Sequence, residues 1–329
     1  MSRTWRYQTL RTAIAVPLMV LTCAPVARAQ AYVPAKGEGA VSLLYQDFFV
    51  KYHYFGPTRV DNGQIASKLM VVDINYGITD KLAVGVGLPW IASRYTGSKP
   101  HPIAWNNPTP SPVDDGTYHS ALQDFHFDVR YNLTKRGLAL TPFISTTIPS
   151  HGYTYFAHAA PGLDLKEVQF GVSGAKLLDN VVPGLFVQAR YSYAITQKPV
   201  AFAHNRSFAD LEVGYFVTPK LRLMALTVGQ RSHGGLDLTS SSKVDLGPLF
   251  EHHDQIARVN FVNEGAGVAY SLSEKIDLYG SLLRTVSERN GHAIDHGVSL
   301  GLSWSFSTRR AGSRAIASVD RSLAKCLCE

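Results

Sequence analysis

The chain has 329 residues, 45% of them hydrophobic and only 17% charged, with a formal net charge of +7. That charge sits at the ends: Arg3, Arg6, Arg11 and Arg28 fall in residues 1–29, and Arg309, Arg310, Arg314, Arg321 and Lys325 in residues 307–329, while the charges of residues 30–306 cancel. A neutral body without a basic-aromatic face excludes nucleic acid as a partner, and cysteines confined to Cys23, Cys326 and Cys328 exclude a disulfide framework for that body.

Residues 1–29 read as a signal peptide. A basic start is followed by a short apolar run from Ala13 to Ala24, and Ala27-Arg28-Ala29 is a small-x-small pattern that predicts cleavage before Gln30. A retained anchor is disfavoured because the run is short and broken by Pro17, and a lipoprotein signal because Thr22 precedes Cys23. After residue 30 no apolar stretch reaches the roughly 20 residues that a membrane helix needs. An exported chain of this kind either builds a soluble core or crosses a membrane with strands.

Residues 30–306 read as an all-β, antiparallel transmembrane β-barrel of about 12 strands. Period-2 alternation recurs in blocks near 39–50, 65–76, 81–93, 120–133, 138–148, 165–178, 184–197, 206–217, 220–231, 253–271, 275–287 and 293–306. The connections alternate in length. Tight ones are Gly77 to Asp80, Thr134 to Gly137, Asp179 to Gly184, Thr218-Pro219 and Ser271 to Lys275; long ones are 51–64, 94–119, 149–164, 198–205 and 232–252, with a short sixth near Arg289 to His292. Short turns on one side and long loops on the other match an outer-membrane barrel with turns in the periplasm. The strand faces agree: Leu82, Val84, Val86, Leu88 and Trp90 share one face, as do Phe125, Phe127, Val129, Tyr131 and Leu133, and Val298, Leu300, Leu302, Trp304 and Phe306. Tyr76, Tyr131, Tyr215, Tyr270 and Trp304 near the tight turns, and Trp90 near the loops, are placed for interfacial girdles. Ser303-Trp-Ser-Phe306 resembles the closing signal read by barrel-assembly machinery, and residues 307–329 read as a disordered basic tail.

Strand parity puts a polar set on the inner face. Asp73 and Asn75 precede a stretch of small inward residues that includes Gly85 and Gly87. Asp124, His126, Asp128 and Arg130 follow, then Glu167 and Gln169, Gln188 and Arg190, Asp210 and Glu212, and Arg258 and Asn260. An Arg or Lys facing lipid at mid-depth costs about 2–4 kcal/mol, so these positions are expected to line a lumen. They either fill it as a closed ion-paired network or border a permeation path, and the free volume expected at Gly85 and Gly87 favours a path. The twelve histidines form no His-Glu-x-x-His spacing, and except for His126 they fall in loops or at strand rims, so solvated loop side chains are expected, with no metal site, no cofactor and no catalytic residue. No local signature of a Ser-His hydrolase is present.

Val72-Asp-Ile-Asn-Tyr-Gly-Ile-Thr-Asp-Lys-Leu-Ala-Val-Gly-Val-Gly-Leu-Pro-Trp90 resembles the turn and strand of outer-membrane proteins grouped as the MetA-pathway of phenol degradation family. Gln123 to Leu133 and Leu140 to Pro149 are similar to the same family, although Ser150-His151 stands where its members tend to have Thr-Gly. The resemblance implies a bacterial outer-membrane barrel that takes up small hydrophobic or aromatic molecules. Its expected partners are outer-membrane lipid and lipopolysaccharide, the barrel-assembly machinery and the solute. The alternatives are a non-conducting structural or adhesive scaffold, or an outer-membrane hydrolase.

Overall fold

The computed structural model describes residues 31–134 and 137–308. The signal peptide with its cleavage before Gln30, the turn residues Lys135 and Arg136, and the tail from 309 lie outside the described residues. Fourteen strands follow one another: β1 (Glu38–Phe55), β2 (Thr58–Val60), β3 (Gln64–Gly77), β4 (Leu82–Thr96), β5 (His119–Leu122), β6 (Asp124–Tyr131), β7 (Leu138–Pro149), β8 (Glu167–Leu177), β9 (Leu185–Thr196), β10 (His204–Thr218), β11 (Leu221–Gly234), β12 (Asn260–Ser271), β13 (Ile276–Arg289) and β14 (His292–Ser307). β2 is a short return against the end of β1, and β5 and β6 together make one staircase strand beside β4. The wall therefore has twelve strands, every pairing antiparallel, and it closes where β1 pairs with β14 from Glu38–Ser307 to His53–His292. Closure leaves no sheet edge, which is what allows strands to cross a bilayer.

The break between β5 and β6 has a local cause. Pro89 of β4 has no N–H to offer the ladder. Pairing with β6 ends at Gly87–His126 and resumes with β5 at Trp90–Leu122, while Gln123 N–H donates to the Pro89 carbonyl at 2.9 Å. The tight turns are closed by equally local bonds. Thr79 Oγ1 accepts from Lys81 and Leu82 N–H, and Thr218 Oγ1 accepts from Lys220 and Leu221 N–H.

Period-2 geometry separates two faces. Leu43, Ile74, Leu88, Phe127, Ile144, Phe170, Leu211, Leu223, Val268, Leu282 and Leu300 point outward and are exposed, a belt that only an apolar surrounding would cover. Tyr131, Tyr215, Tyr270 and Trp304 stand outward at the turn end and Trp90 toward the loop end; Tyr76 is half-buried and stacks on Phe306.

One expected strand boundary differs. The block from 253 begins as α2 (His253–Ile256), and β12 starts only at Asn260. Residues 242–256, including α1 (Ser242–Leu246), form short helical turns that fold over the barrel mouth, where Leu236 bridges to Ala257. Their alternation of side chains arises from a packed loop, which period-2 reasoning cannot tell from a strand over so few residues.

Candidate functional site

The inner wall has two unlike halves. Along β1, β3 and β4 the buried inward residues are mixed: Leu44, Phe48, Val50, Ile65, Val71 and Ile91, with Leu283 of β13 against Phe48, alternate with Gln46, Asn75 and Ser93. Across from them, β6 to β10 carry most of the polar residues that parity selected. Arg130 Nε contacts Asp128 Oδ2 at 2.8 Å without the alignment of a hydrogen bond, and its Nη2 donates to Asn75 Oδ1. Arg190 lies 3.9 Å from Asp210 Oδ2, donates to Gln169 Oε1 at 3.4 Å and stacks its guanidinium 4.2 Å over Phe143. Glu167 accepts from Gln169 at 2.6 Å, and from Thr196 at 3.2 Å. Arg206, which the strand reading left out, makes the shortest charge pair of this wall, 2.7 Å to Glu167 Oε2. It shares parity with Asp210 and Glu212 and opens the block 206–217, so strand parity alone points to it.

Asp73 and His126 border the same narrow space, His126 Nδ1 meeting Thr147 Oγ1 at 3.1 Å, and Asp124 accepts from the loop hydroxyl of Tyr153. Glu212 is buried on the inner face of β10, and Gln188 Oε1 accepts from the backbone of Ala31 at 3.0 Å.

Three expectations are corrected here. Gly85 and Gly87 leave no free volume: a Cβ at Gly85 would lie 2.2 Å from Asp128 Oδ1, and one at Gly87 2.7 Å from Asp73 Oδ1. Carboxylates from neighbouring positions have filled the space, and the cavity bordered by Asp73, Asp128 and Arg190 holds only about 40 Å³. Arg258 does not line the lumen. It lies before β12, partly exposed, and pairs with Asp237 at 3.3 Å. Asn260 has the opposite parity to the buried Asn263, and its Oδ1 accepts from Ser232 N–H, so it ties two strands at the rim.

The ends of the lumen are both occupied by chain. At the turn end Ala31 is fully buried, and its carbonyl accepts from Asn132 Nδ2 and Thr141 Oγ1. At the loop end, segments 97–118, 150–166 and 235–259 pack together. Asp114 receives backbone N–H from His101, His158 and Ala159 at 2.9, 3.1 and 2.9 Å, which holds two of those segments to each other. Against the opposing effect of burial, the His101 ring and these bonds hold its carboxyl below the usual range. Asn290 clamps the third: it accepts from Gly56 and Leu238 N–H and donates to Asp237 and the Arg258 carbonyl, in a left-handed conformation (φ 56°) that Asn tolerates.

Beneath these loops lie two adjoining cavities of about 350 and 310 Å³, edged by Tyr54, Phe55, Phe250, Tyr155 and several histidines. Five of the histidines are not the solvated side chains expected. His101, His158 and His253 are buried because the loops that carry them turn inward, and His53 of β1 and His204 of β10 are buried beneath those loops, whereas His151, His233 and His296 are exposed as expected. A sequence reveals where a loop lies along the chain but not the direction in which it folds.

No family model and no curated protein matches the chain. Among solved structures it is similar to an outer-membrane channel from Pseudomonas putida F1, at 15% identity over 87% of this chain and 100% of that one, with a TM-score of 0.65. It is more distantly similar to the NanC porin (10% identity, 80% of this chain and 98% of that one, TM-score 0.47). The translocator domain of the autotransporter NalP from Neisseria meningitidis stands at the same distance (14% identity, 83% and 89%, TM-score 0.47). The closed twelve-stranded wall, its apolar exterior and the first of these likenesses together establish the fold of the chain as an outer-membrane β-barrel.

Proposed function

We propose that the chain is a bacterial outer-membrane channel for small hydrophobic or aromatic solutes. The observation that carries this reading is the two-sided lumen. Apolar patches at Phe48, Val71 and Ile91 adjoin an ion-paired wall beneath a mouth lined with rings, an arrangement suited to a solute with a flat apolar body and a polar substituent. The resemblance of residues 72–90 and 123–133 to the phenol-degradation family supports the same solute class. Under this proposal the narrow space beside Asp73 and Arg190 and the buried segment at Ala31 are the elements that close the path. In this reading the loops face outward from the cell. The outward-facing Lys68 and Arg94, which flank the ring of Tyr118, would then meet lipopolysaccharide phosphates, and assembly proceeds through the barrel-assembly machinery.

Liposomes carrying the whole chain test the proposal. Benzoate-sized aromatic acids are expected to enter faster than sugars of equal size, and Arg190→Ala, which frees space at the constriction, is expected to raise both rates. Absence of flux for every solute would replace the channel by a non-conducting scaffold. Release of ester or lipid products would replace it by a hydrolase.

A further inference from the structure

Three histidines from three parts of the chain converge under the loops. His53 lies near the end of β1, His292 opens β14, and the two are register partners across the seam that closes the barrel. His158 reaches them from segment 150–166. The ring centroids stand 4.9 Å apart for His53–His158 and 4.6 Å for His53–His292. One nitrogen from each of the three can be chosen so that all lie within 4.8 Å of one another.

The donor atoms have the state that a metal requires. His53 Nε2 and His158 Nδ1 are buried without a hydrogen-bond partner, a costly condition for a polar atom unless something else occupies it. His158 Nε2 lies 3.0 Å from the Lys99 carbonyl, which places the ring proton on Nε2 and leaves the Nδ1 lone pair directed away from that bond. A backbone carbonyl holding the distal nitrogen is the usual outer support of a ligating imidazole. Asp254 borders the same cavity.

We propose that His53, His158 and His292 bind a borderline divalent transition-metal ion of the zinc class, with Asp254 or water completing the set. Imidazole nitrogens suit zinc, copper and nickel rather than calcium or magnesium. The neighbouring group His101, Asp114 and His158 is a poorer candidate, since the Asp114 oxygens already accept three backbone N–H bonds. A bound ion would staple the β1–β14 seam to the loop above it. The inference is independent of the channel reading, because binding is measured without flux.

The experiment uses the whole chain folded in detergent, without a polyhistidine tag, stripped with chelator and titrated with Zn²⁺. One ion per chain is expected, with K-edge absorption showing at least three nitrogen neighbours at about 2.0–2.1 Å. His158→Gln and His292→Gln should each weaken binding at least ~10-fold, given that even outer-shell changes cost 10–100-fold, while His296→Gln, an exposed residue on the outer wall, leaves it unchanged. Binding that survives a His53/His158/His292 triple substitution to Gln would overturn the proposal, and so would an unsubstituted chain that takes up no zinc. If the variants lose heat-modifiable gel mobility, the absorption spectrum of the unsubstituted chain decides alone: fewer than three nitrogen neighbours refutes the site.

Discussion

Gly85 shows how closely the inner wall is fitted. Its missing side chain is replaced by the Asp128 carboxylate, which leans over β4 while the Arg130 guanidinium holds it from the same strand. Gly85→Ala must push that carboxylate aside, and overpacking of a filled interior costs about 1–3 kcal/mol. In a urea series read by the folded and unfolded gel bands, Gly85→Ala is therefore expected to lower the midpoint. Gly85→Ala combined with Asp128→Ala should recover part of the loss, since the clash disappears with the carboxylate. Additive single effects would show that the two positions do not share this space. The same pair marks the limit of parity. Alternation is backbone geometry, and it puts Asp128 and Arg130 on one face. Whether a glycine leaves a gap depends on the neighbouring strand, which the local sequence does not contain.

At the scale of elements the strands were legible and the loops were not. Each wall strand carries its own evidence, because one face meets apolar surroundings and the other a polar lumen, and Pro89 or Thr218 marks a break within a few residues. Segments 97–118, 150–166 and 235–259 carry none, since their fold depends on distant partners such as Asp114 and Asn290. The histidines they bury give those segments a pH dependence. His158 is lowered from 6.5 to about 2, first by desolvation, then by His101 and His292, with Asp254 acting the other way. A histidine whose folded value is depressed binds its proton only when released, so its contribution to closure is lost as pH falls below about 6.5. His253, buried on α2, shifts in the same direction for the same first cause. The groups facing His158 include His53 and His292 of the wall, His101 and Asp114 of segment 97–118, and His253 and Asp254 of α2. Hydrogen exchange of residues 150–166, corrected for its intrinsic rate, should speed up between about pH 7 and about pH 5. The turns at Thr79 and Thr218 lack such histidines and should stay constant. Equal protection of residues 150–166 at both pH values would mean that the loops close without regard to these rings.

For the whole molecule the two ends of the lumen do different work. The loop end is held by many contacts between segments, whereas the turn end is occupied by one strand of backbone. Ala31 is fixed there by Gln188, Asn132 and Thr141, with Tyr32 packed among Phe186, Phe216 and Met224. Thr141→Val and Gln188→Ala remove two of these bonds while keeping the wall strands intact, and each bond contributes about 0.5–1.5 kcal/mol. Loss of both shifts the segment from permanently seated toward transient release, because roughly 1.4 kcal/mol is a tenfold change in population. Under the channel reading, planar-bilayer recordings of the double variant should show more frequent openings than the parent, with the same unit current, since the constriction beside Arg190 is untouched. A larger unit current would locate the narrowest point at Ala31 instead of at the ion-paired wall. Unchanged opening frequency would show that the segment does not gate, leaving the loops and the paired carboxylates as the elements that close the lumen.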